Sequence, residues 1–267
     1  MKFQTYLLGV RTSFRGEALV EDLKKLGIHP EIVWGPEAQI DSELISNHTN
    51  QEYCNFTINR NIKKQEVACC LGHLRMYRRF SESETEWGFF LEDDAILVLD
   101  PTTLIGELPI TNQPLHIFVH DGPGTDLKLW RRSSAELSNL KLVRKLDPQY
   151  GAYGYLLNRA AIREILDAKI DTYINTPDWP YLWPKKIHFY HSKTTYISHP
   201  SDTSMSIIGE RLNEASRFVS LIPNPKRVME GKQLGINLGF VFYKEIYLKS
   251  VRIIFQVFKR IRENHDS

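Results

Sequence analysis

Glu92, Asp93 and Asp94 stand together where an apolar run, Trp87 to Leu91, ends. Such a run has the make-up of a buried strand. The three carboxylates then emerge at its C-terminal end, which in open α/β sheets faces the ligand crevice. Adjacent negative charges repel one another, and a hard divalent cation bound through oxygen offsets that repulsion and can bridge to phosphate. The competing reading is a solvated acidic turn or a helix N-terminus, which also welcomes acids. Three weaker constellations accompany the trio. Glu66 and His73 lie seven residues apart on one helical face beside Cys69, Cys70 and Leu74, although a lone histidine there is more often structural. Gly151 and Gly154 flank Tyr153 just before a strand and permit close backbone approach, which tight packing explains equally well. Asp178 sits between Pro177 and Trp179 in a rigid, aromatic loop, an environment suited to binding a sugar or taking a proton.

The elements that must position these residues follow from periodicity. Phe3 to Gly9 reads as a buried strand and Arg15 to Leu26 as a helix through Ala18, Leu19, Leu23 and Leu26. Gly27 stops that helix, and Glu31 to Trp34 is a second strand. Strand, helix, strand at the start of a chain predicts a parallel α/β sheet. Residues 41–62 read mostly as loop. Lys63 to Phe80 is a helix with Val67, Cys70, Leu71, Leu74 and Tyr77 on one face. Further strands are predicted at Leu115 to Val119, running into His120 and Asp121, and at Tyr153 to Leu157. Asn158 caps a helix from Arg159 to Ala168, residues 171–184 form an irregular loop, and a late strand spans His188 to Ile197.

Composition sets the outer bounds. The 267 residues are 42% hydrophobic and 25% charged, ordinary for a globular enzyme. A net charge of +2 is far below that of a nucleic-acid-binding domain, so no nucleic acid partner is expected. Cys54, Cys69 and Cys70 fit neither a disulfide framework nor a zinc-ligand spacing and read as reduced, buried thiols. The N-terminal apolar stretch is short and lacks a cleavage signature, and no run approaches the about 18 apolar residues of a membrane span. The sequons at Asn47 and Asn55 then carry no meaning, and a reducing cytoplasm is expected.

In sequence order, these four fragments, together with the N-terminal strand and the arginine that follows it, resemble the bacterial glycosyltransferases of family 25, the lipooligosaccharide galactosyltransferase group. The stretches that carry the resemblance are Tyr6 to Arg15, Glu66 to His73, Leu91 to Leu97, Gly151 to Arg159 and Pro177 to Pro180, within residues 3–210. Each motif is modest alone; their order is specific. One departure is Gly72, where the family usually has serine before the histidine. The resemblance implies a GT-A-like nucleotide-sugar-binding fold, α/β with a mostly parallel central sheet, over residues 1–220. It implies a Mn2+ or Mg2+ ion on Asp94, with Asp93 beside it. Arg15, Glu92, Asp93, Gly151 and Tyr153 would be donor-binding residues. The partners would be a UDP-sugar donor, with galactose favoured, and a surface-glycan or lipid-linked acceptor. A metal would neutralise charge on the departing nucleoside diphosphate, and an inverting transfer needs a base for the acceptor hydroxyl. Asp178 is the first candidate for that base and Asp121 the second. The alternatives are a metal-dependent nucleotide-sugar hydrolase or nucleotidyltransferase, and a non-catalytic carbohydrate-binding protein.

Residues 221–267 read as a linker and a C-terminal helix. Tyr247, Val251, Ile254, Phe258 and Ile261 make one apolar stripe from Lys244 to Glu263, with Lys249, Arg252, Lys259 and Arg260 opposite. Such a basic amphipathic helix suits an anionic membrane surface, or else packs on the domain or a second subunit. The resemblance favours the membrane, placing the protein peripherally on the inner face of the bacterial inner membrane.

Overall fold

The computed structural model describes residues 3–51, 61–120, 140, 142–145, 151–167 and 187–200. These all fall in Met1–Glu210, the first of two compact units of the chain. The expected boundary at residue 220, the C-terminal helix, the 171–184 loop and Cys54 lie outside the described residues.

The strands are β1 (Phe3–Gly9), β2 (Glu31–Trp34), β3 (Trp87–Glu92), β4 (Ile96–Leu97), β5 (Leu115–Phe118), β6 (Leu142–Lys145), β7 (Gly154–Asn158), β8 (His188–Ser192) and β9 (Ile197–Ser198). The helices are α1 (Glu17–Lys25), α2 (Ser42–Asn47), α3 (Lys64–Ser81), α4 (Thr102–Glu107) and α5 (Arg159–Asp167). Seven strands form one sheet in the order β2-β1-β3-β7-β5-β8-β6. β1, β2, β3, β5 and β8 run one way; β7 is antiparallel to both β3 and β5, and β6 is antiparallel to β8. The expected mostly parallel α/β sheet is therefore present but mixed, with a reversed strand at its centre.

The sheet is covered on both faces, because alternate strand residues point to opposite sides. Trp87, Phe89 and Leu91 pack with Leu7, Leu19, Leu23, Leu104 and Ile105, which places α1 and α4 on one face. Phe90, Tyr6 and Tyr155 pack with Leu74, Tyr77, Phe80, Ile162 and Ile165, which places α3 and α5 on the other. Each such fully buried side chain contributes about 1.5–3 kcal/mol. Asn158 does what its position predicts: Oδ1 accepts from Ala161 N at 3.0 Å and from Leu115 N at 2.9 Å. Its amide nitrogen donates to the carbonyls of Thr111 (3.2 Å) and Gln113 (2.7 Å), so one side chain caps α5 and fixes the start of β5.

Three local departures from the sequence reading have simple causes. α2 forms inside the stretch read as loop, because Ile45 is fully buried against Val67 and Leu71 of α3. The late strand breaks after Ser192 and resumes as β9, which pairs antiparallel with β4 in a small second sheet. α1 begins at Glu17 and not at Arg15, because the Arg15 backbone N–H donates to Asp93 Oδ2 (3.3 Å) and Gly16 is the N-cap.

Candidate functional site

β1 and β3 are parallel neighbours, paired through Leu8 and Glu92, so the segments leaving their C-terminal ends meet. The segment after β1 makes a 3-10 turn at Arg11–Ser13 and delivers Arg15. The segment after β3 delivers Asp93 and Asp94. Arg15 Nη2 donates to Asp93 Oδ1 at 3.3 Å and to Asp94 Oδ2 at 3.1 Å. The register of the small sheet adds a residue from far along the chain. Ile96 faces Ser198 and Leu97 faces Ile197, so one further step brings His199 opposite Ala95. His199 Nε2 lies 3.2 Å from Asp94 Oδ2, and its Nδ1 lies 2.9 Å from the Pro200 carbonyl. Both ring nitrogens face acceptors, which the doubly protonated imidazolium alone satisfies.

The electrostatics separate the two aspartates. Burial pushes Asp93 up, and Arg15 only partly counters it, with Asp94 adding to the rise. Asp94 is also pushed up by burial, but the hydrogen bond and charge of His199, then Arg15, outweigh this and hold it below its ordinary value. His199 is raised, first by its bond to Asp94 and against its partial burial. Asp94 is thus the acid held firmly as a carboxylate.

The three acids of the trio meet different neighbours. Strand alternation turns Glu92 to the α3 face, where Oε1 is 3.0 Å from His73 Nε2 and accepts from the Cys69 thiol at 3.5 Å. His73 Nδ1 bonds the Tyr155 hydroxyl at 2.5 Å, and Tyr155 bonds Tyr77 at 2.6 Å. Glu66, expected on the His73 face, is spent at the start of α3, accepting from the Lys63 backbone N–H at 3.0 Å. Gly151 adopts φ +101°, a left-handed conformation that favours glycine, and its carbonyl lies 3.0 Å from His120 Nε2. Tyr153 follows on the same rim, its ring 4.4 Å from His120 and 5.1 Å from His199. Asp121 and Asp178 lie outside the described residues.

Whether the residues present suit a hard cation can be tested on Asp94. Its Oδ2 is held by Arg15 and His199, while its buried Oδ1 has no hydrogen-bond partner among the described residues. A buried oxygen left in this way costs about 1–3 kcal/mol, and a bound cation recovers that cost. Asp94 therefore fits the metal. Both oxygens of Asp93 are turned to Arg15, one to the guanidinium and one to the backbone N–H, so Asp93 also serves to fix Arg15. Sequence reasoning missed His199 and His120. Neither stands in a motif, and only the β4–β9 register brings His199 to Asp94.

The buried, oppositely charged groups Arg15, Asp93 and Asp94 lie past the C-terminal ends of β1 and β3, the edge at which open α/β sheets bind their ligands. The sequence model of glycosyltransferase family 25 (LPS biosynthesis protein) matches residues 4–177, more than half of the chain. The chain belongs to that family and is a glycosyltransferase, with a sugar donor and a glycan acceptor as its partners. The match includes Arg15, Glu92, Asp93, Asp94, Asp121, Gly151 and Tyr153, and stops one residue before Asp178. No curated protein matches the chain.

Proposed function

We propose that the protein is a metal-dependent hexosyltransferase of the GT-A type. It moves galactose from UDP-galactose, with inversion, to a bacterial surface glycan such as lipooligosaccharide or to a lipid-linked oligosaccharide. The observation that carries this reading is Asp94: a carboxylate just past the end of β3, one oxygen held by Arg15 and His199, the other buried with no hydrogen-bond partner among the described residues. A Mn2+ or Mg2+ ion on that oxygen would supply positive charge to the departing diphosphate. The chain's own residues then divide the remaining work. Arg15 adds a second positive charge beside Asp94 and keeps the acids from repelling one another. His199 locks the Asp94 carboxylate. Tyr153 and the Gly151 turn offer an aromatic face and a close backbone approach for the donor. Asp178, and Asp121 after it, remain the candidates to take the proton of the acceptor hydroxyl.

Transfer is separated from hydrolysis by incubating the protein with Mn2+ and UDP-galactose, with and without acceptor glycan. Sugar should appear on the acceptor, with little UDP released in its absence. UDP release independent of acceptor would make the protein a hydrolase, and neither product would make it a binding protein. The basic stripe of residues 244–263 supports a peripheral place on the inner face of the inner membrane. Flotation with anionic vesicles, weakened by salt, tests that place; no flotation at low salt would refute it.

A further inference from the structure

The Cys69, His73 and Glu92 side chains form a second cluster, on the α3 side of β3, to which the proposal above gives no part in transfer. Cys69 and His73 are four residues apart on α3 and so share one helical face. Glu92 reaches them from the end of β3, supplying a third donor from a different element. One ligand atom from each, the thiol sulfur, a ring nitrogen and a carboxylate oxygen, lie within 4.8 Å of one another. The geometry points to a binding site for a borderline-soft divalent cation of the zinc type, on Cys69, His73 and Glu92, distinct from the oxygen site at Asp94.

Donor type argues for this class of metal. Thiolate, imidazole and carboxylate together match zinc, whereas Mg2+ and Mn2+ favour all-oxygen sites. Spacing agrees. Around a tetrahedral zinc with bonds of about 2.3 Å to sulfur and about 2.0 Å to oxygen, those two atoms are separated by about 3.5 Å. Cys69 Sγ and Glu92 Oε1 are 3.5 Å apart. The 3.0 Å between His73 Nε2 and Glu92 Oε1 must open by only about 0.3 Å to match the same geometry. The other ring nitrogen is already fixed: Nδ1 bonds Tyr155, which bonds Tyr77, the outer-shell arrangement that orients a ligating imidazole. Access exists as well, since the Glu92 side chain is 22% exposed while His73 is fully buried. Three protein ligands leave a fourth position for water or another small donor. On binding, the Cys69 S–H bond breaks, its proton leaves to solvent, and the sulfur keeps the electron pair that bonds the cation. The cation ties α3 to the end of β3, directly before Asp93 and Asp94.

Cobalt(II) reports this site without any assay of transfer. The full-length protein, stripped with chelator, is titrated with Co2+ and followed by thiolate-to-cobalt charge-transfer absorption. One equivalent should produce the band, and Zn2+ should bleach it. Cys69→Ser should abolish the band, Tyr155→Phe should weaken cobalt affinity about 10–100-fold, and Cys54→Ser, Cys70→Ser and Asp94→Asn should keep it. Cys69→Ser is a near-isosteric change at a partly exposed position, and its metal-free melting temperature, matched to that of the metal-free wild type, shows that it is folded. A wild-type protein that gives no band, or a band that survives in Cys69→Ser, overturns the proposal. Retention of the band in Asp94→Asn keeps this test separate from the fate of the donor site.

Discussion

At Gly72 the α3 backbone lies tight against Leu8 of β1, and replacing the glycine with alanine tests that close approach. A Cβ at Gly72 would lie 2.6 Å from Leu8 Cδ1, 3.0 Å from Cδ2 and 3.4 Å from Cγ. Ordinary carbon contacts are about 3.5–4.0 Å, so the whole isobutyl group must turn, or α3 must back away by about 1 Å. Leu8 has little room to turn, being 7% exposed, and a Cβ at Gly35 would already meet the same Cδ1 at 3.1 Å. Overpacking of this kind costs about 1–3 kcal/mol. The gain from replacing a helical glycine by alanine is about 1 kcal/mol, so Gly72→Ala should destabilise by about 0–2 kcal/mol. Leu8→Ala alone should cost about 2–5 kcal/mol. In the double variant the clash has no partner, so the two changes should couple favourably by about 1–3 kcal/mol. Urea unfolding of the four proteins, followed by far-UV circular dichroism, measures that coupling. Strict additivity, with Gly72→Ala stabilising in both backgrounds, would refute the close-approach argument. The same contact gives a physical reason for glycine where the family usually has serine: a serine Cβ meets Leu8 in the same way.

Two further outcomes follow from the charges at the site. Arg15→Met should lower the melting temperature of the metal-free protein, and Mn2+ should then raise it by more than in the wild type, because the cation replaces the lost positive charge beside Asp93 and Asp94; equal Mn2+ shifts in the two proteins would sink this reasoning. His199 is raised above 6.5 by its bond to Asp94, so its contribution to stability is fully present below 6.5 and is lost as pH rises through the higher folded value. The stability gap between the wild type and His199→Gln should therefore be widest below pH 6.5 and narrow as pH is raised above it. A gap that is flat or widens with pH contradicts the pair.

The sequence made the elements legible where apolar runs are long and bounded. β1, β2, α3, β3 and α5 begin and end within a residue or two of the periodicity reading; in β1 and β3 the reason is that Tyr6, Leu7, Phe89, Phe90 and Leu91 are buried on both faces of one sheet. Strand order was not legible, since β7 enters reversed between β3 and β5 through pairing that no local pattern encodes. The acidic trio was found as a group, yet its division was also readable. Glu92 continues the alternation of Phe90 toward α3, and a strict period of two separates it from the residue that follows. His199 was invisible, because what places it is a two-residue ladder between distant segments. The role of Arg15 came from the resemblance; its bridge between Asp93 and Asp94 came from the β1–β3 pairing.

Asp94 is where Arg15, His199 and the proposed cation meet, and one rate measurement tests its role. Asp94→Asn keeps the shape of the side chain and removes the charge that Arg15, His199 and the proposed cation share. At saturating Mn2+, transfer from UDP-galactose to acceptor should fall by about 10²-fold or more. Transfer within a few-fold of the wild-type rate under those conditions would remove Asp94 from the metal site and contradict the account.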